Sequence, residues 1–206
     1  MSRLKFTFGY LILILTLSSC AKIFYTPDAK SLAQKQRTIA IVPPSVSIAA
    51  SKKIDAASLK EQQKTESLNF QKEMYSWMLK RKMQNKISQE IQETEVTNSK
   101  LKKAGYPETL FSSTELCEIL GVDGIITSNY SLSKPMSDGG AIAIAVLFGG
   151  FASTNEVHVT LSINDCGGKK LIWNFDDKFS GGMGSSPARL VDGLMRKASK
   201  KMPYVK

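Results

Sequence analysis

The sequence predicts an α/β (α+β) domain in which a long helix and a C-terminal helix pack on a β-sheet of about four to five strands. Three observations carry this prediction. A short β-branched run, Thr38–Val42, stops at Pro43-Pro44. The stretch from Ser58 to Ile91 contains no Gly or Pro and repeats apolar residues at three- and four-residue spacing. Glu156 to Phe175 alternates apolar and polar residues on both sides of a glycine turn.

The N-terminus is a separate unit. Arg3 and Lys5 precede the uncharged apolar run Phe6–Leu17, which ends in Leu17-Ser18-Ser19-Cys20. A run this short is a signal peptide, because a membrane-spanning helix needs about 20 apolar residues. Leu-Ser-Ser-Cys resembles a bacterial lipobox. The resemblance implies that residues 1–19 are removed and that Cys20 carries a covalent diacylglycerol and an N-acyl group. A thiol forms a stable thioether, and small residues before it fit a peptidase cleft. Each buried CH2 would add about 0.8 kcal/mol of membrane affinity, so several acyl chains on one residue hold firmly. Palmitate-like acyl chains, a membrane anchor and a periplasmic domain are the corresponding expectations.

The mature chain is then residues 20–206, enough for one domain. Ala21–Gln36 reads as a tether in which Pro27 and Asp28 break any helix; fully extended, it reaches at most about 55 Å. Residues 20–36 are thus the lipidated N-terminus and tether, and 37–206 a single α/β envelope domain. Thr38–Val42 is a buried strand and Ser45–Ala57 a polar loop.

Phe70, Met74, Trp77, Met78, Leu79, Met83, Ile87 and Ile91 form the apolar stripe of the long helix, with Lys72, Lys80, Arg81, Lys82 and Lys86 around it. Gln92–Val96 reads as a second strand and Asn98–Ala104 as a short helical turn. Ser112 and Glu115 form a capping box for a helix that ends at Gly121. Ile125–Leu132 follows as a strand.

Val157, Val159, Leu161 and Ile163 face one side of the hairpin's first strand. Leu171, Trp173 and Phe175 face one side of its return strand. Ser186-Pro187 opens the last helix as N-cap and N1. Leu190, Val191, Leu194, Met195 and Ala198 form its apolar face, and Arg196, Lys197, Lys200 and Lys201 suit its C-terminal dipole end.

This order of elements, with "LGVDGIITSNY" and "INDCGGKKLIWNF", resembles a group of envelope lipoproteins and their relatives. The group comprises the curli secretion lipoprotein, the penicillin-binding-protein activator lipoprotein and the amino-terminal domain of TolB. The resemblance runs from about Arg37 to Met202. It implies a single mixed sheet with helices packed on it, and it brings no catalytic residues.

Candidate sites are few. His158 is the only histidine, with no second histidine or Cys-x-x-Cys nearby, and it reads as an exposed strand residue. Asp123 and Asp165 lie in turns beside glycine, where their carboxylates accept bonds from nearby backbone N–H groups. Gly181–Ser186 lacks the Lys-Ser/Thr of a phosphate-binding loop and reads as a connection. Catalytic, cofactor-binding and metal residues are accordingly expected to be none. Cys117 falls on a helix and Cys166 in a turn; spacing leaves both a disulfide and two free thiols open.

Gly139–Ala152 passes without a charge between two strands. Ile142, Ile144, Val146 and Phe148 read either as core or as an interaction segment that dips into a membrane or contacts another subunit.

The formal charge of +10 includes only Arg3 and Lys5 from the signal. An exported chain does not meet nucleic acid, so the basic surface is a solvated lysine-rich face or meets anionic lipid, cell-wall polymer or an acidic protein. The resulting expectation is a non-enzymatic, outer-membrane-anchored lipoprotein that acts as an accessory or assembly factor on another envelope component. A subunit of an oligomeric secretion pore is the alternative, and a cell-wall-acting enzyme the weaker one.

Overall fold

The computed structural model describes residues 21–49, 55–132, 156–180 and 186–206. The elements are β1 (Lys22–Tyr25), α1 (Ala29–Lys35), β2 (Thr38–Ile41), β3 (Ser45–Ile48), α2 (Ala56–Met83), β4 (Glu90–Ile91), α3 (Thr94–Ala104), α4 (Ser113–Leu120), β5 (Gly124–Leu132), β6 (Glu156–Asp165), β7 (Lys170–Ser180) and α5 (Pro187–Ala198). They form one sheet in the order β1-β7-β6-β5-β2-β4, with β3 also paired to β5. β2 is parallel to β4 and β5, and β3 is parallel to β5. The β5-β6-β7-β1 side is antiparallel. The sheet is therefore mixed, with helices on it, and has seven strands among the described residues where four to five were expected.

Alternation divides the sheet into two faces. On one, Ile39, Ile41, Ile126, Val159, Leu161, Ile163, Trp173 and Phe175 are all buried beneath α2 and α5. Phe70 of α2 stacks on Tyr130 of β5 with ring centroids 4.2 Å apart. α5 is fastened as its sequence predicts. Ser186 Oγ accepts from the Arg189 amide, and Leu190, Val191, Leu194, Met195 and Ala198 are buried. Lys197 Nζ bonds Asp177 2.8 Å away and lies over the Phe179 ring. On the opposite face, Ala40, Val42 and Ile125 are covered by Leu101 of α3 and Leu116, Cys117 and Leu120 of α4. The Ser112–Glu115 capping box and the left-handed Gly121 bound α4 as expected. Gln71 of α2 and Asn98 of α3 exchange reciprocal amide bonds of 2.9 Å, which tie the two helices around the β2 side.

Five local expectations are corrected. Ala21–Gln36 carries β1 and α1 instead of a tether. Pro27 and Asp28 separate the two elements, and the small buried Ala29 and Ala33 let α1 approach the sheet. Within Ser45–Ala57, Val46 and Ile48 alternate with serines, and Ser45–Ile48 is recruited by β5.

The long helix stops at Met83, where Asn85 adopts a left-handed φ of 56°. Met83 is 85% exposed, whereas Ile87 and Ile91 are buried after the chain has turned back along β2. Gln92–Val96 is not a strand; the strand is Glu90–Ile91, and a full helix begins at Thr94.

Leu171 does not join Trp173 on the core face. A register shift at Ile163/Asn164 makes Ile172 an extra residue, so Ile172 and Trp173 are both buried and Leu171 is 38% exposed.

Candidate functional site

Two polar constellations occur on the sheet. The first is at the end where β5 begins. Gln36 Nε2 donates to Asp165 Oδ1 at 2.7 Å, Tyr204 Oη donates to Gln36 Oε1, and Asp165 Oδ2 accepts from the Gly168 amide at 2.6 Å. Asp123 Oδ2 accepts from the Arg37 and Thr38 amides at 2.8 and 2.9 Å.

Asp165 thus makes the local turn bond read from the sequence. Asp123 instead bonds backbone that is distant in the chain. A Cβ at Gly124 would lie 2.1 Å from Gln36 Oε1 and 2.7 Å from Tyr204 Oη, so a side chain there displaces these two groups. Burial, then the charges of Asp165 and Asp123, push the Tyr204 hydroxyl well above the ordinary tyrosine range, so it remains a donor. Beside this cluster Cys117 and Cys166 form a disulfide with Cα atoms 5.5 Å apart, which closes the question that spacing left open. The constellation is a clasp that holds the α1–β2 junction, the C-terminal segment at Tyr204 and both aspartate turns together.

The second constellation is the part of the sheet face that α3 and α4 leave uncovered among the described residues. Strand pairing lines up Ser47, Ser131 and His158 in one row and Ser45, Asn129, Thr160 and Asp176 in the next. Ser45, Ser47, Asn129 and Ser131 are exposed. These residues border a shallow depression of about 190 Å³.

His158 Nε2 lies 3.0 and 3.1 Å from the two oxygens of Asp176, and Thr160 Oγ1 donates to Asp176 Oδ2. His158 is therefore a partly exposed strand residue as expected, but a paired one. Asp176 is the residue that sequence reasoning missed. Its signal was the cross-strand register, hidden by the extra residue at Ile172.

The His158 ring bond holds the Asp176 carboxyl below its ordinary value of 3.8, with Thr160 and Lys22 assisting and burial opposing. A carboxyl so depressed contributes stability that is present above pH 3.8 and lost as pH falls through the native value. Asp176→Asn is therefore expected to cost under about 1 kcal/mol at pH 7, because the pair is partly exposed. It is also expected to flatten the acid loss of stability below pH 4, as read from urea melts across pH. Asp28 and Glu115 are depressed too, chiefly by Lys170 and by the Ser112 amide, so part of the slope persists.

Chemically, this face offers hydroxyl, amide, imidazole and carboxylate groups to a polar partner. Among the described residues, no serine is hydrogen-bonded to His158 and no group of three or more metal-ligating side chains occurs. Cys20, the segment with Ile142, Ile144, Val146 and Phe148, and Gly181–Ser185 lie outside the described residues.

No protein-family model matches the chain, and no curated protein matches it. Among solved structures the chain is similar to the PelC dodecamer from Paraburkholderia phytofirmans, at 10% identity over 91% of this chain and 99% of that one, TM-score 0.42. It is also similar to lipoprotein GNA1162 from Neisseria meningitidis, at 13% identity over 81% and 97%, TM-score 0.45. A third likeness is to the LpoB C-terminal domain from Salmonella enterica, at 10% identity over 74% and 93%, TM-score 0.32. These are distant likenesses. None of the described helices is long and apolar enough to cross a membrane.

Proposed function

We propose that this chain is a lipoprotein of a bacterial envelope, held in the outer membrane by acyl chains on Cys20, whose domain acts without catalysis as an accessory or assembly factor. The lipobox-like Leu17-Ser18-Ser19-Cys20 carries the reading. The Cys117–Cys166 disulfide supports it, because such bonds persist in oxidising compartments such as the periplasm. The open row of Ser45, Asn129, Thr160 and Asp176 is the surface offered to another envelope component, a protein or cell-wall polymer.

A second reading, a subunit of an oligomeric secretion pore, is favoured by one observation. Leu132 pairs with Val157, and Lys22 with Asp176 near the end of β7. The strand ends that flank Ile142, Ile144, Val146 and Phe148 in sequence therefore lie toward the same end of the sheet as Lys22, two residues from the proposed lipid attachment.

Mass spectrometry of the mature N-terminus tests the anchor. Cys20 is expected to carry diacylglycerol and an N-acyl chain, and Cys20→Ser is expected to abolish acylation and signal cleavage together. An unmodified Cys20, or cleavage elsewhere, overturns the lipoprotein reading. Size in detergent separates the two roles: a monomer supports the accessory factor and a ring the pore.

A further inference from the structure

The chain between the proposed lipid and the folded sheet is one residue long, and the strand that follows exposes Ile23, Phe24 and Tyr25 after Lys22. Lys22 already pairs with Asp176, and Ala21 alone separates it from Cys20. Two Cα–Cα steps span at most about 7 Å. In β1, Ile23, Phe24 and Tyr25 are 40%, 51% and 41% exposed. Ile23 and Tyr25 share the face of Phe175 and Trp173, and Phe24 shares the face of Asn174, so it is the edge of the sheet that is apolar.

We propose that β1 is a second membrane contact, seated among the lipid headgroups of the membrane that holds Cys20; this rests on the anchor reading above. Acyl chains in the bilayer place the Cys20 backbone at the headgroup level, and a 7 Å reach brings Lys22 with it. Four residues of strand cover about 13 Å, enough to cross the roughly 5–10 Å in which interfacial segments seat. Tyr25 suits that level, where Tyr and Trp rings concentrate, and Phe24 suits the apolar side of an interfacial segment. Exposed Lys22 at the start of this edge suits anionic headgroups. The outer backbone groups of β1 find hydrogen-bond partners among headgroups and water, which hydrocarbon would deny them.

A second copy is the poorer occupant. The strand is four residues long, begins with Lys22 and is followed by Pro27, features that blunt edge-to-edge pairing. The domain thus rides directly on its membrane and does not swing on a tether.

The test uses the full acylated chain in vesicles of phosphatidylethanolamine and phosphatidylglycerol. A nitroxide is placed at Phe24→Cys and, for reference, at Leu110→Cys. Leu110 is 91% exposed in the connection between α3 and α4, helices that pack on the β2 side, and β2 is four strands or about 19 Å from β1. Collision with oxygen relative to a water-soluble nickel complex is expected to be several-fold higher at 24 than at 110. Equal ratios in a chain whose Cys20 is shown to be acylated overturn the seating of β1 and leave the anchor standing. Equal ratios with Cys20 unmodified overturn both. Low collision with both reagents, accompanied by spin–spin broadening, assigns the strand to a second copy and overturns the membrane contact.

Discussion

Trp173→Ala is expected to lower the unfolding free energy by about 3–5 kcal/mol. Trp173 is completely buried in β7, between Ile163 of β6 and Tyr25 of β1, and lies 6.0 Å from the Phe175 ring centroid. The alanine variant loses the transfer energy of an indole and leaves a cavity between the sheet and the helices packed on that face. One feature moderates the loss. Among the described residues the indole Nε1 is buried without a hydrogen-bond partner, and removal of an orphan donor recovers some desolvation energy. Trp173→Phe is therefore expected to cost far less than Trp173→Ala, since it keeps most of the volume and discards the N–H. Denaturant melts of both variants check this. A loss under about 1 kcal/mol for the alanine variant would place Trp173 on a surface.

Removal of the Cys117–Cys166 bond is the second large effect. The cysteines are 49 residues apart in sequence, and a loop of that length restricts the unfolded chain enough to predict about 4 kcal/mol from chain entropy alone. Disulfides typically contribute about 2–4 kcal/mol, so the double variant Cys117→Ala/Cys166→Ala is expected to lose about that much. The bond joins α4 to the β6–β7 turn. The Cys166 amide also donates to the Asp123 carbonyl, so the variant should loosen the start of β5 first. Hydrogen exchange at Gly124–Ile126 would register that. Equal melting of the oxidised and reduced wild-type chain would mean that the bond is absent in solution.

α4 and α5 were legible because their information is local. Ser112, Glu115 and Gly121 bound one helix within ten residues, and Ser186-Pro187 with Leu190, Val191, Leu194, Met195 and Ala198 specify the other. The same holds for Val157, Val159, Leu161 and Ile163, whose period of two marks one buried face. In the long helix the spacing misled beyond Met83, because Ile87 and Ile91 are buried by the returning chain and not by the helix.

By itself, then, the sequence determined an α/β domain, the inward face of β6, and the ends of α4 and α5, since each depends on residues within a turn or two of one another. Only the tertiary structure decided the rest. β1 and β3 are short strands with weak patterns, stabilised by β7 and β5, which lie far along the chain. The bond from Gln36 to Asp165 spans 129 residues and that from Tyr204 to Gln36 spans 168, so neither leaves a local trace. The pairing of His158 with Asp176 required the register of β6 on β7, which the extra residue at Ile172 shifts by one. Such contacts exist because loop closure brings distant segments together, and periodicity along one segment carries no record of its partner.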